Sequence, residues 1–144
     1  MPSESDANYA EQKDVAKANR EFYRSFERLD LAAMRALWLD DERIKCVHPG
    51  GEVLTGPTRV HAAWSMIFEN TKWIRFELAD LSVEIQGDLA WVTNVERIHA
   101  RPDEVKDDTL VAEAVATNLF QRTSDGWRML LHHASPIARR FSGD

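Results

Sequence analysis

Residues 73–100 read WIRFELADLSVEIQGDLAWVTNVERIHA, and the alternation inside this stretch decides the fold. Ile74, Phe76 and Leu78 occupy even positions, whereas Leu81, Val83 and Ile85 occupy odd ones. Side chains along a strand alternate between faces, so the slip requires an extra residue, and a β-bulge near Ala79-Asp80 supplies it. Gly87-Asp88 has the backbone freedom of a tight hairpin turn, and Leu89 to Ala100 returns as a second strand. A bulge bends and twists its strand, so the expected sheet curls around something instead of lying flat.

The strand pattern continues toward the C-terminus. Leu110 to Arg122 and Trp127 to Ser135 read as strands joined at Asp125-Gly126, making four long antiparallel neighbours. Arg101 to Thr109, rich in Asp, Glu and Lys, reads as a solvated loop. Toward the N-terminus the period changes to three and four. Val15, Ala18, Phe22, Phe26 and Leu29 mark one stripe of a helix from about Asn8 to Leu29. Asp30 is placed to cap a second helix carrying Leu31, Met34, Leu37 and Trp38. Arg43 to His48 and Glu52 to Thr55 flank Pro49-Gly50-Gly51 as a small hairpin. Gly56-Pro57 then opens a third helix with Val60, Ala63, Trp64, Ile67 and Phe68 inward, ending near Asn70.

The fold expected from this order is α+β: three N-terminal helices packed on a strongly curved antiparallel sheet with a central cavity. A single domain over residues 15–138 is expected, preceded by a disordered or extended segment, 1–14, and followed by a tail, 139–144. A chain of 144 residues, 44% hydrophobic, has room for one core only. Eighteen basic against 24 acidic residues give a net charge of −6, with no basic cluster denser than Arg139-Arg140, so nucleic acid is not an expected partner. Cys46, the only cysteine, has no internal disulfide partner and reads as a buried strand residue. Met1 to Asp14 has no apolar signal-peptide stretch and no segment approaches a bilayer-spanning length, which makes a cytoplasmic protein without membrane contact the simplest expectation. Neither a glycine-rich phosphate loop nor metal-ligand spacing is present, so no cofactor and no metal is expected.

Strand parity turns Asn94, Glu96, Asn118, Phe120 and His132 toward the concave side. Glu96 interrupts an apolar strand, and a desolvated carboxylate there is prepared for proton transfer; a salt bridge to Arg122 or another nearby arginine on the sheet is the structural alternative. His48, just before the Pro-Gly-Gly turn, and His132 are candidate bases beside it, the structural alternatives being a hydrogen bond to the turn backbone for His48 and a structural hydrogen bond for His132. Adjacent His132 and His133 point to opposite faces and cannot share a metal. On that last strand Arg128, Leu130, His132 and Ala134 are expected inward, whereas Trp127, Met129, Leu131 and His133 form a more apolar face available to a second subunit. Trp38, Trp64 and Phe68 suit a flat apolar ligand if they are not simply core. Asn94 and Asn118 are placed to orient a carbonyl or hydroxyl.

The element order, with His48-Pro49-Gly50-Gly51, Gly56, Trp64, Gly87-Asp88-Leu89-Ala90-Trp91-Val92-Thr93, Asp125-Gly126-Trp127-Arg128 and His132-His133-Ala134-Ser135, resembles the SnoaL-like branch of the NTF2-like superfamily from about Val15 to Pro136. The resemblance implies a cone-shaped fold and a homodimer. It does not select among isomerases, dehydratases, cyclases, epoxide hydrolases and non-enzymatic association modules. The C-terminal half is also similar to the calcium/calmodulin-dependent kinase II association domain, whose cavity arginines would correspond to Glu96, Asn118 and Ala134, none of them arginine here. Ketosteroid isomerases, similar in fold, use a first-helix tyrosine, and Tyr23 lies in a comparable element as a ligand-binding candidate. Two readings follow: a cofactor-independent isomerase, dehydratase or cyclase acting on a small apolar or aromatic oxygenated molecule, or a non-catalytic ligand-binding or assembly module.

Overall fold

The computed structural model describes residues 4–100 and 110–138. Its order is α1 (Glu4–Glu27), α2 (Leu31–Leu37), β1 (Lys45–Val47), β2 (Leu54–Thr55), α3 (Pro57–Glu69), β3 (Ile74–Gln86), β4 (Leu89–Ala100), β5 (Leu110–Thr123) and β6 (Gly126–Pro136). The expected solvated loop at 101–109 and the tail at 139–144 lie outside the described residues. No helix among those residues is long and apolar enough to cross a membrane.

α1 begins at Glu4, four residues before the start expected near Asn8. It buries Val15, Asn19, Phe22 and Tyr23 on one stripe. Leu29, with φ at 53°, turns the chain out of the helix. The Asp30 side chain accepts from the Ala33 N–H at 3.0 Å and starts α2. Asp30→Ala removes this cap and is expected to cost about 1 kcal/mol, read as a lower urea midpoint at unchanged m-value. α2 packs against α1 and α3, and α1 lies across β3, β4 and β6.

The six strands run in the order β2-β1-β6-β5-β4-β3. The four long strands pair antiparallel as expected, but β1 runs parallel to β6, with Cys46 beside His132, so the sheet is mixed and not wholly antiparallel. The β3 register shifts between Ala79 and Ser82, and Asp80 adopts φ of 54°, where the slip in alternation placed a bulge. Further shifts occur at Ile98/His99 and Leu119/Phe120. These interruptions bend the sheet into a curved, unclosed layer with the helices on its inner side.

The third shift corrects the reading of β6. Leu119 pairs Leu131 but Phe120 pairs Met129, so Leu130 is skipped and parity reverses below it. Trp127 and Met129 are consequently buried with the core instead of lying on an outer face, while His132 and Ala134 stay inward and His133 is exposed. The main core joins Phe22, Met34, Trp64, Val92, Phe120 and Met129.

Candidate functional site

Asn94, Glu96, Asn118, Phe120 and His132 are all buried on the inner face of β4, β5 and β6. α1 lies over them and contributes Tyr23, together with Asn19 one turn earlier. Asn19 was not anticipated from the sequence. The available signal was a polar residue on an apolar stripe, four positions before Tyr23, where a helix places side chains on one face.

The hydrogen bonds form one directed network. Tyr23 donates its hydroxyl to Glu96 Oε2 at 2.6 Å. That hydroxyl accepts from Asn94 Nδ2 at 3.1 Å and Asn118 Nδ2 at 3.3 Å. Asn19 Nδ2 donates to Asn94 Oδ1 at 3.0 Å, and Asn118 Nδ2 donates to Asn19 Oδ1 at 2.8 Å. Because the Asn118 amide hydrogens are thus engaged, its Oδ1 is the acceptor for His132 Nδ1 at 2.6 Å. Neutral His132 therefore carries its proton on Nδ1 and keeps a lone pair on Nε2. Every donor in the chain leads toward the Glu96 carboxyl.

Burial pushes the Glu96 carboxyl up to about 7, with the Tyr23 hydrogen bond pulling the other way. A carboxyl so placed gives and takes a proton near neutrality. Burial, and then the Glu96 charge, raise the Tyr23 phenol well above its ordinary value, so it remains a donor. Burial, with His48 and His133 adding to it, pushes His132 down to about 3. Burial also lowers the half-buried His48 imidazole. Cys46 Sγ lies 3.4 Å from His48 Nε2, but burial and then Glu96 raise its thiol far above neutrality, which makes it an inert core residue.

Of the three candidate proton carriers, His48 and His132 sit together, ring centroids 6.1 Å apart, with Trp64 against both at 4.8 and 6.0 Å. Glu96 does not pair directly with either histidine; it reaches His132 through Tyr23 and Asn118. Nor does it meet Arg122, which pairs with Glu11 at 3.1 Å and Asp88 at 3.4 Å and stacks on Trp127. Trp64 and Phe68 pack with Phe22 and Phe26 in an aromatic cluster, with Trp64 edge-to-face against Phe22 and Phe26. The buried Trp64 Nε1 has no hydrogen-bond partner among the described residues. Phe120 is core. Trp38 lies apart, bridged to Met129 and edge-on to His61.

Beside the carboxyl the side chains are small. The register partners of Glu96 and Asn94 on β5 are Ala114 and Ala116, and Ala134 follows on β6. These three alanines form a small buried cluster separate from the main core. Single methyl groups at these positions take up little volume next to Glu96.

The sequence profile of the SnoaL-like domain matches residues 15–139. A solved structure of a candidate dehydratase of the NTF2-like family from Streptomyces avermitilis is 37% identical, superposes with a TM-score of 0.84, and matches 92% of this chain and 99% of that one. A candidate calcium/calmodulin-dependent protein kinase type II association domain from Thiobacillus denitrificans is 33% identical, with a TM-score of 0.75 over 84% of this chain and 93% of that one. Among curated proteins, the F-box protein SKIP8 of Arabidopsis thaliana is 28% identical over 127 residues, which is 88% of this chain and 51% of that protein. The chain thus spans about half the length of the curated relative it matches.

Proposed function

The chain belongs to the SnoaL-like domain family of the NTF2-like fold, and from that premise we propose that it binds a small apolar or aromatic oxygenated molecule and isomerises, dehydrates or cyclises it without a cofactor. The observation that carries this reading is the buried Glu96 carboxyl, held through Oε2 by Tyr23 at 2.6 Å. With Oε2 engaged, Oε1 is the oxygen that faces substrate and moves the proton. The Trp64 N–H, unpaired among the described residues, and the His132 Nε2 lone pair are suited to a carbonyl or hydroxyl oxygen. The alanines beside Glu96 present only single methyl groups to it. The dehydratase description of the Streptomyces avermitilis relative, 37% identical, favours loss of water among these reactions.

In this mechanism Glu96 begins as the carboxylate and removes a proton from carbon next to an oxygenated centre. The resulting carboxylic acid returns that proton, to a departing hydroxyl in a dehydration or to a different carbon in an isomerisation. Tyr23 keeps the carboxylate oriented throughout and shares its charge. A panel of hydroxylated aromatic compounds, followed by mass and absorbance for loss of water or proton shift, tests this. Turnover by the wild-type chain rising with pH through about 7 is expected. Binding of panel members with turnover of none would favour the non-catalytic reading.

A specific observation supports assembly as a second property. Leu89, Trp91 and Val115 are 43%, 36% and 46% exposed on the outer face of the sheet, and Leu89 joins Leu119, Leu130 and Leu131, together with Arg43, Lys45 and Gln121, in lining a recess of about 410 Å³. Exposed apolar area of this kind on adjacent strands suits a second copy packed sheet to sheet. A homodimer mass in solution, reduced to the monomer by Trp91→Glu, is the expected result.

A further inference from the structure

Asn19 is 1% exposed on the inner stripe of α1, one turn before Tyr23. Its amide turns one donor and one acceptor into the polar network. Nδ2 donates to Asn94 Oδ1 at 3.0 Å, and Oδ1 accepts from Asn118 Nδ2 at 2.8 Å. The opposite ends of both partners are thereby determined. Asn94 presents Nδ2 to the Tyr23 hydroxyl at 3.1 Å, and Asn118 presents its second N–H there at 3.3 Å, while Asn118 Oδ1 is left for His132 Nδ1 at 2.6 Å.

A phenolic hydroxyl carries one proton and two lone pairs. In Tyr23 both lone pairs meet amide donors, so the proton goes to Glu96 Oε2 at 2.6 Å. Turning the Asn94 amide over would offer Tyr23 a carbonyl oxygen in competition with Glu96. With Asn19 in place, that turn sets Asn94 Nδ2 against Asn19 Nδ2, leaving buried donors facing each other unsatisfied. Turning Asn118 over sets its oxygen against Asn19 Oδ1 and its N–H against the His132 N–H. Asn118 is thus held from two sides, and Asn94 is held by Asn19.

Taking Glu96 as the proton carrier proposed above, we infer that Asn19 is its positioning residue, fixing the sense of both amides so that the Tyr23 proton is committed to Glu96. Tyr23 from α1 and Cys46 from β1 are titratable neighbours of Glu96, and burial keeps both protonated near neutrality. His132, beyond Asn118, is neutral there as well. The Tyr23 hydrogen bond draws the Glu96 carboxyl down against its burial. Removing Asn19 lets Asn94 turn over, divides the Tyr23 proton between two acceptors and moves the carboxyl up.

A ¹³C titration of the Glu96 carboxyl in the full chain without substrate compares wild type with Asn19→Ala, Tyr23→Phe and Val15→Ala. Tyr23→Phe removes the donor and should raise the midpoint by about one pH unit or more. Asn19→Ala should raise it by part of that amount. Val15, fully buried one turn before Asn19 on the same stripe, is the packing control. Val15→Ala weakens the core and should leave the midpoint at the wild-type value. An unchanged midpoint in Asn19→Ala, or an equal rise in Val15→Ala, would overturn the proposal. If Asn19→Ala does not fold, nuclear Overhauser contacts in the wild-type chain decide between the two senses. Contacts from the Asn94 and Asn118 side-chain amide protons to the Tyr23 ring support the proposal, and their absence overturns it. The midpoint is read without turnover, so equal turnover by wild type and Glu96→Gln would remove the proton-carrying role of Glu96 while leaving the titration to judge Asn19 separately. Where the wild-type chain does convert a compound, the rise of its rate with pH should move upward in Asn19→Ala by the same amount as the midpoint.

Discussion

Glu96→Gln is expected to lower turnover of any compound the wild-type chain converts by roughly 10²- to 10⁴-fold, the usual contribution of a positioned proton carrier. Glutamine still accepts the Tyr23 hydroxyl in place of Oε2, so the 2.6 Å contact and the asparagines behind it survive. What is lost is the proton. The same variant carries a stability signature of defined sign. The native carboxyl holds its proton up to about pH 7, whereas the unfolded chain releases it near its ordinary value of 4.5. The stability this group contributes is therefore complete below about pH 4.5 and is lost as pH rises through 7. Glutamine has no such titration. Relative to wild type, Glu96→Gln should gain stability between pH 4 and pH 8, by about 3 kcal/mol at most. His132, pushed down to about 3, loses stabilisation as pH falls below 6.5, but it does so in both proteins and cancels in the difference. Urea denaturation of the pair at the two pH values reads the effect. Equal turnover in both proteins would remove Glu96 from the chemistry whatever the stabilities show.

Asn118→Ala should be the most damaging polar substitution in the chain. Asn118 is fully buried and serves three partners, donating to Asn19 and Tyr23 and accepting from His132. Alanine leaves Asn19 Oδ1 and His132 Nδ1 without partners inside the protein and removes one of two amide donors to Tyr23. Each buried group left unsatisfied costs about 1–3 kcal/mol, so a loss of about 3–5 kcal/mol is expected, or roughly 10 °C in Tm for a domain of this size. A loss under about 1 kcal/mol would mean that the network contributes little to the folded state. Because Tyr23 also orients Glu96, any conversion by the folded fraction should weaken as well.

The residues that face the network were legible from simple alternation. Asn94 and Glu96 on β4, Asn118 on β5 and His132 on β6 share one parity, and the slip at Ala79-Asp80 located the bend in β3. What escaped was long-range or depended on local irregularity. β1 has only three residues, and nothing in Lys45-Cys46-Val47 marks whether it pairs parallel or antiparallel, since that is decided by where α2 delivers the chain. Skipping Leu130 turns Trp127 and Met129 inward, and a bulge inside an apolar run leaves no polar residue out of place to reveal it. Trp38 reads as equivalent to Trp64 by composition, yet the helix ends at Leu37 and sends it toward Met129, away from the polar network. Glu96 reads as one half of an acid/base couple with a histidine; Tyr23 intervenes because α1 passes over β4 at that level.

The central claim is that Glu96 is a carboxyl kept near neutrality by burial and aimed by Tyr23. A ¹³C NMR titration of the Glu96 side-chain carboxyl, assigned by its disappearance in Glu96→Gln, measures this directly. A midpoint at about 7 is the expected result. A midpoint near the ordinary value of 4.5 would show a solvated carboxylate and contradict the account.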